Sequence, residues 1–263
     1  MSALTRNNVR DSQSAKRPMV FVHGYGCDQA MWRHLAPHFE QDYRSVTYDL
    51  TGCGGSDVAA YDFDKYATLE GHAEDLLEIC RELDLKNAVV VGHSVSSTIA
   101  ALAALRAPDV VSAIAMICPS PSFINDGDYV GGFTRADIDE LLEFLDSNFL
   151  GWSRRMAPVI MGAPERPELA IELSNSFCQT DPEVAKHFAA VTFLADHRKD
   201  FARLRSPALV VQCSHDALAP VSVGAWLNRT IEGSALEVIE ASGHCPHLSA
   251  PGPTLSAVQR FLG

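Results

Sequence analysis

Three residues with the chemistry of a nucleophile, a base and an acid each follow an apolar run of this 263-residue chain. Ser94 lies in VVVGHSVSSTIAALAA, Asp216 follows PALVVQC in SHDALAP, and His244 follows ALEVIEA in SGHCPHLSAP. A serine hydroxyl is a weak nucleophile near neutral pH, so it needs a base within hydrogen-bond reach and an acid that orients the base. We therefore interpret Ser94, His244 and Asp216 as a candidate set for acyl transfer.

The segment around Ser94 predicts a sharp turn from a strand into a helix. Residues 89–91 are typical of a buried parallel strand, and residues 96–107 carry the small apolar side chains of a packed helix. Gly92 and Ser96 give the pattern GxSxS, a variant of the nucleophile-elbow pattern GxSxG. An incidental turn is the alternative, but a strand before the serine and a helix after it favour the elbow.

Two further segments predict the donors and the base for this chemistry. HGYG directly follows a strand-like run, so Tyr25 can supply one backbone N–H to an oxyanion and Val95, next to the nucleophile, the second. GHCPH offers two histidines, and we predict that His244 is the base. His247 follows Pro246 and already enters the next segment.

Possible metal ligands also gather around the last two strand-like runs: Cys213, His215, Asp216, His244, Cys245 and His247. They show neither an HxxxH pair nor a CxxC pair, so a metal site is the disfavoured alternative, and the proposed chemistry needs no cofactor. The cysteines are odd in number, widely spaced and mostly in apolar segments, which predicts reduced thiols rather than disulfides: Cys27, Cys53, Cys80, Cys118, Cys178, Cys213 and Cys245.

Composition restricts the class of protein and its partners. The chain is 47% hydrophobic and 21% charged, as expected of one sizeable globular core with a small appended subdomain. The net charge of −12 and the lack of a basic block argue against nucleic acid or an anionic membrane as partner. No apolar run reaches the roughly 20 residues that span a bilayer, and the first segment is polar, so we expect a cytoplasmic protein.

Strand-like runs alternate with helical patterns along most of the chain. This alternation predicts an α/β fold with a mostly parallel central sheet and helices on both faces. Thr68 is expected to cap a helix that ends near Leu83, and Gly263 to follow a last helix that begins near Thr254. The strand-like runs are 18–22, 43–50, 88–92, 112–118, 207–213 and 235–241.

The alternation is interrupted once, by residues 119–200, which carry helical patterns but no convincing strand. We therefore divide the chain into a core of residues 1–118 and 201–263 and an inserted helical segment. Seven of the twelve phenylalanines lie in the insertion. The insertion either has its own small core or turns some of its side chains toward an apolar ligand pocket. The expected pocket residues are Phe123, Phe133, Trp152, Met156 and Phe193.

These segments resemble a family of α/β-hydrolases grouped around the bacterial stress-signalling protein RsbQ and the plant strigolactone and karrikin receptors, and the bacterial member is the more similar. The resemblance runs through HGYGCDQAMW, YDLTGCGGSD, GHSVSS, FLGWS and GHCPHLSAP. It places the family's nucleophile on Ser94, its acid on Asp216, its base on His244, and its oxyanion donors on Tyr25 and Val95. The serine at position 96 is similar to what the plant receptors carry.

The resemblance implies a V-shaped lid of four helices over an apolar pocket. It also implies slow hydrolysis of small apolar esters, lactones or butenolides, which in several members serves signalling to a protein partner. Three functions stay open because one fold and one triad serve them all. They are a serine hydrolase for a small apolar ester or lactone, an RsbQ-like ligand sensor in stress signalling with a phosphatase-type partner, and a carbon–carbon bond hydrolase or cofactor-free perhydrolase.

Overall fold

Seven strands form one central sheet in a computed structural model that describes residues 1–263. Their spatial order is β1-β3-β2-β4-β5-β6-β7, and every neighbouring pair is parallel except β1 with β3. The predicted α/β architecture is confirmed. The strands are β1 (Arg10–Asp11), β2 (Pro18–Val22), β3 (Arg44–Tyr48), β4 (Ala88–His93), β5 (Val111–Ile117), β6 (Ala208–His215) and β7 (Ala235–Ser242).

The central strands are apolar because helices cover both faces of the sheet. Every residue of β4 is buried. Val89 and Val91 enter one hydrophobic cluster of 36 buried residues, whereas Ala88 and Val90 enter a second cluster of 34 on the opposite face. Side chains alternate across a strand, so a continuous apolar run is what a doubly covered strand requires.

Strand β1 was missed because its sequence carries no strand signal. It has two residues, both polar, and it lies at the edge of the sheet, where it pairs antiparallel with β3. The Asp11 carboxylate accepts hydrogen bonds from the Arg44 guanidinium at 2.6 and 2.9 Å, so an ion pair reinforces this edge pairing. A contact of this kind between distant segments leaves no local periodicity in the sequence.

Helices fill both faces of the sheet and the long interval between β5 and β6. The helices are α1 (Ala3–Arg6), α2 (Glu70–Glu82), α3 (Val95–Arg106), α4 (Arg135–Ser147), α5 (Phe149–Met161), α6 (Pro167–Gln179), α7 (Pro182–Phe193), α8 (Arg198–Phe201), α9 (Val221–Thr230), α10 (Pro246–Ser249) and α11 (Pro251–Leu262). Short 3₁₀ turns span Gln29–His34, Ala36–Phe39 and Val58–Ala60.

Two expected helix starts are wrong. Thr68 does not cap α2, because Leu69 occupies the N-cap position and no side chain satisfies the first turn. The last helix begins at Pro251 rather than near Thr254. Proline suits the first turn of a helix, where its missing N–H would have no acceptor and its φ angle is already helical.

Helices α4 to α7 form an insertion between β5 and β6, and they pack chiefly on one another. Thr134 and Asp137 begin α4 with reciprocal side-chain-to-backbone hydrogen bonds, a capping box. Asp181 caps α7 by accepting from the backbone N–H groups of Glu183 and Val184. No helix of the protein combines the length and the apolar character needed to cross a membrane.

Candidate active site

Ser94 occupies a strained turn between β4 and α3. Its φ of 55° and ψ of −124° lie where non-glycine residues are uncommon, and such strain concentrates at functional sites. The turn is held by the Ser94 N–H, which donates to the Ile117 carbonyl at 2.8 Å. Gly92 is required because a Cβ at that position would overlap the Ser96 carbonyl.

The departure from GxSxG at position 96 is accommodated by a hydrogen bond. The Ser96 side chain is fully buried, and its hydroxyl donates to the His23 carbonyl. The neighbouring Ser97 hydroxyl donates to the Gly92 carbonyl at 2.9 Å. The elbow therefore tolerates a serine where a glycine is more usual, because the added hydroxyl finds a partner in the loop after β2.

Ser94, His244 and Asp216 form one hydrogen-bonded line. His244 Nε2 lies 2.8 Å from Ser94 Oγ, and His244 Nδ1 lies 2.8 Å from Asp216 Oδ2. The other carboxylate oxygen of Asp216 accepts from the backbone N–H groups of Leu218 and Ala219 at 2.8 and 3.1 Å. With Nδ1–H donating to the carboxylate, Nε2 is free to accept the serine proton, which is the arrangement that acyl transfer needs.

The structure places His244, not His247, beside the serine. His247 is completely buried, with its ring centroid 4.9 Å from that of Trp32 and 4.4 Å from that of His93. Neither of its ring nitrogens has a hydrogen-bond partner. Burial lowers the pKa of His247 to about 3, so it is a neutral packing residue near neutral pH.

The two predicted oxyanion donors lie in the loop after β2 and in the first turn of α3. The Tyr25 N–H has no acceptor within the protein, and the Val95 N–H lies in the first turn of α3, where no carbonyl of the helix can reach it. A Cβ at Gly24 would overlap the His93 ring, and one at Gly26 would overlap the Phe177 ring. The two glycines therefore let this loop approach its neighbours closely.

Ser94 and His244 line a narrow cavity between the sheet and the insertion. Ten of its fourteen lining residues are hydrophobic, which suits a small ligand with few polar groups. The lining residues are Tyr25, Cys27, His93, Ser94, Phe123, Trp152, Ile160, Leu173, Phe177, Thr192, Phe193, Leu218, His244 and Cys245.

Of the five expected pocket residues, the structure brings Phe123, Trp152 and Phe193 to the cavity and leaves two outside it. The prediction for Phe133 is wrong. Its backbone forms hydrogen bonds with Phe123 and Asn125, and its half-buried ring packs on the larger hydrophobic cluster. Met156 is the other, since its half-buried side chain packs from α5 against the same cluster. Both therefore serve packing rather than the cavity wall.

Several cavity residues were not identified from the sequence. Leu173 and Phe177 continue a stripe of buried residues spaced four apart on α6 that begins at Leu169, a signal that was available. The Trp152 Nε1–H and the Thr192 hydroxyl are buried without a hydrogen-bond partner, and both residues line the cavity. Two unpaired polar groups in an apolar wall are sites where a ligand oxygen can bind.

Four of the six residues considered as metal ligands fall into two groups, and the other two fall into neither. One group joins His93 with Cys245 and His247, and the other joins Cys118 with Asp216 and His244, with ligand atoms within 4.8 Å of one another. His215, which is exposed, and Cys213, which is buried, belong to neither. Burial raises the pKa of the Cys245 thiol well above its usual range, so the thiolate form that binds metals is disfavoured.

Comparison with known proteins identifies the family. Residues 19–257 match the model of the alpha/beta hydrolase family. The chain belongs to this family. This α/β hydrolase is 37% identical over 250 residues to karrikin insensitive 2 receptor IA of Petunia hybrida, covering 95% of this chain and 91% of the receptor. It is 34% identical over 256 residues to strigolactone esterase D14 of Arabidopsis thaliana, covering 97% and 96%.

A solved structure gives the same result. A hydrolase from Oleispira antarctica superposes with a TM-score of 0.96 at 42% identity, covering 99% of this chain and 96% of that one. An esterase from Exiguobacterium antarcticum superposes with a TM-score of 0.88 at 24% identity, which is a likeness of fold.

Proposed function

We propose that this α/β hydrolase cleaves a small, largely apolar ester or lactone through an acyl-enzyme on Ser94. The observation that carries the proposal is the line of 2.8 Å contacts from Ser94 through His244 to Asp216, with the serine open to an apolar cavity. Relatives named as esterases support the same class of reaction.

In the proposed mechanism, Ser94 Oγ attacks the substrate carbonyl carbon while His244 Nε2 takes the serine proton. Asp216 keeps the Nδ1 proton on the imidazole and stabilises the imidazolium that forms. The Tyr25 and Val95 N–H groups donate to the oxyanion. His244 then protonates the leaving alkoxide, which in a lactone stays attached to the acyl group. A water molecule, activated by the same histidine, releases the acid and restores the serine.

The cavity wall supports a compact substrate with more than one oxygen. Aromatic and aliphatic side chains favour an apolar body, whereas the unpaired Trp152 N–H and Thr192 hydroxyl favour an additional acceptor oxygen beyond the scissile carbonyl. No lysine or arginine lines the cavity to pair with an anionic substrate. Small neutral esters and lactones combine these properties.

The test is hydrolysis of a short-chain nitrophenyl ester together with labelling by a serine-directed sulfonyl fluoride. We expect one adduct, on Ser94, with activity lost in proportion to labelling. Mass spectrometry locates the adduct after digestion. Loss of activity with Ser94 unmodified and another residue labelled would contradict the proposed nucleophile.

A second function is supported by the relatives named as receptors. In this proposal the chain is an RsbQ-like sensor in stress signalling, in which slow hydrolysis serves a phosphatase-type protein partner. Both functions use the same triad and cavity, so they differ in turnover and in complex formation. Fast turnover of a metabolite, without any ligand-dependent complex with such a partner, contradicts the sensor.

A further inference from the structure

The insertion is tied directly to the loop that carries the candidate oxyanion donor. The Ser176 hydroxyl on α6 donates to the Gly26 carbonyl at 2.8 Å. The Tyr25 hydroxyl donates to the Ala185 carbonyl on α7 at 2.9 Å. The Phe177 ring also lies directly over Gly26, where a Cβ would overlap it. Two insertion helices therefore hold the Tyr25 side chain and the carbonyl of the next residue, close to the Tyr25 N–H.

The insertion is tied in the same way to the loop that carries the base. The His244 N–H donates to the Ile160 carbonyl in the last turn of α5 at 2.7 Å. Gly162, just after α5, and Gly243, just before His244, have φ of 61° and 87°. A Cβ at either glycine would overlap the backbone of the other segment. Backbone meets backbone at this point, so the end of α5 fixes where the base loop lies.

We propose that the insertion clamps both catalytic loops, and that Ser176 is a positioning residue for oxyanion stabilisation. The inference rests on the proposed function and adds a role for α5 to α7 beyond lining the cavity. These contacts join the insertion directly to the loops that carry the candidate donor and the candidate base, so they contribute to the relative position of the two loops. A donor displaced by a fraction of an ångström stabilises the oxyanion less while leaving substrate binding intact.

The first experiment compares Ser176→Ala with Ser174→Ala. Ser174 lies on the same helix, is also half-buried, and its hydroxyl makes no hydrogen bond, so it is a matched control. With 4-nitrophenyl acetate we expect Ser176→Ala to lower kcat about tenfold and to change KM less than twofold. Ser174→Ala should match the wild type, and Ser176→Thr, which keeps the hydroxyl, should recover most of the loss.

The second readout separates positioning from general stability. Phenylboronic acid forms a tetrahedral adduct with a serine nucleophile, and this adduct carries the oxyanion-like oxygen. We expect its inhibition constant to rise about tenfold in Ser176→Ala and to stay unchanged in Ser174→Ala, with thermal melts showing that both variants are folded at the assay temperature. If Ser176→Ala does not fold, Tyr25→Phe removes the other tether of the same loop and should show the same loss of kcat.

The outcomes distinguish this inference from the proposed function. Equal kcat and equal boronate affinity in the two serine variants overturn the positioning role while leaving the proposed function intact. A wild-type kcat in Tyr25→Phe overturns the clamp as well. A wild-type protein that neither hydrolyses the ester nor forms an adduct at Ser94 overturns the proposed function itself, and this result is seen before any variant is made.

Discussion

The two sides of the cavity are built from different chemistry. On the side of the sheet, Ser94, His244 and Asp216 are joined by 2.8 Å contacts on loops that follow three strands. On the side of the insertion, Trp152 and Thr192 leave polar atoms unpaired among aromatic and aliphatic side chains. In the proposed function, the sheet side supplies the groups that break the ester bond, and the insertion side selects the molecule that reaches the serine.

The strongest test of this division is the loss of the nucleophile. Ser94→Ala should lower kcat/KM for a short-chain nitrophenyl ester by about 10³-fold or more, because nucleophile and base act as a unit. The fold should persist, since the side chain removed makes its hydrogen bond only to His244. Steady-state kinetics and circular dichroism check both statements. A folded variant with near-normal activity would mean that the sheet side does not supply the nucleophile.

The next test uses the two histidines of GHCPH as a matched pair. His244→Phe should lower kcat by about 10³-fold, because no base remains to take the serine proton. His247→Phe keeps a ring in the space beside Trp32 and should retain kcat within about threefold. Single-turnover kinetics on both variants is the measurement. The reverse order of activities would assign the base to His247.

The insertion side should respond in selectivity rather than in chemistry. Phe193→Leu shortens a ring that lines the cavity and lies 5.0 Å, centroid to centroid, from Phe123. We expect the ratio of kcat/KM for a butanoate ester over an acetate ester to rise about tenfold. Leu194→Ala alters the neighbouring exposed residue and should leave this ratio unchanged. An equal ratio in both variants would show that Phe193 does not limit the acyl group.

The smallest expected effect is on stability and comes from a histidine outside the cavity. His72 is fully buried against Tyr66 and Phe188, and burial lowers its pKa from 6.5 to about 4. Between these pH values the unfolded chain binds a proton that the folded chain does not. The free energy of unfolding therefore falls as the pH falls from 6.5 to 4, by up to about 1.4 kcal/mol per pH unit for this group.

Replacing the titrating group isolates its contribution. His72→Phe keeps an aromatic ring between Tyr66 and Phe188 but cannot bind a proton. Urea unfolding at pH 7 and pH 5 should show a smaller loss of stability in this variant than in the wild type. An identical loss would mean that other buried groups, such as His247, account for the whole pH dependence.

The residues of the sheet side could be predicted from the sequence because each of them follows the end of a parallel strand. Parallel strands end at one edge of a sheet, so residues that directly follow β4, β6 and β7 must meet there. Ser94, Asp216 and His244 each follow one of these strands, and the structure brings them together. The choice of His244 over His247 also followed from its distance to the strand end.

The insertion side could not be predicted to the same depth. Composition indicated an aromatic helical segment, but whether a ring faces the cavity depends on how each helix is rotated and crossed against its neighbours. Phe133 and Met156 therefore fell outside the cavity, whereas Phe177 fell inside it. The bond from Ser176 to Gly26 joins residues 150 positions apart, and no local pattern indicates such a pairing.

The position of Trp152 offers a way to detect ligand binding by fluorescence. Of the three tryptophans, it alone lines the cavity, with its ring 5.1 Å from Phe177, while Trp32 is buried beside Phe21 and Trp226 packs on Tyr129. A molecule that fills this narrow cavity lies beside the indole, so we expect binding to change the tryptophan emission. The intrinsic fluorescence of the Ser94→Ala variant should therefore report occupancy of the cavity without turnover. A library of unlabelled compounds can then be screened by tryptophan fluorescence before any reaction is known.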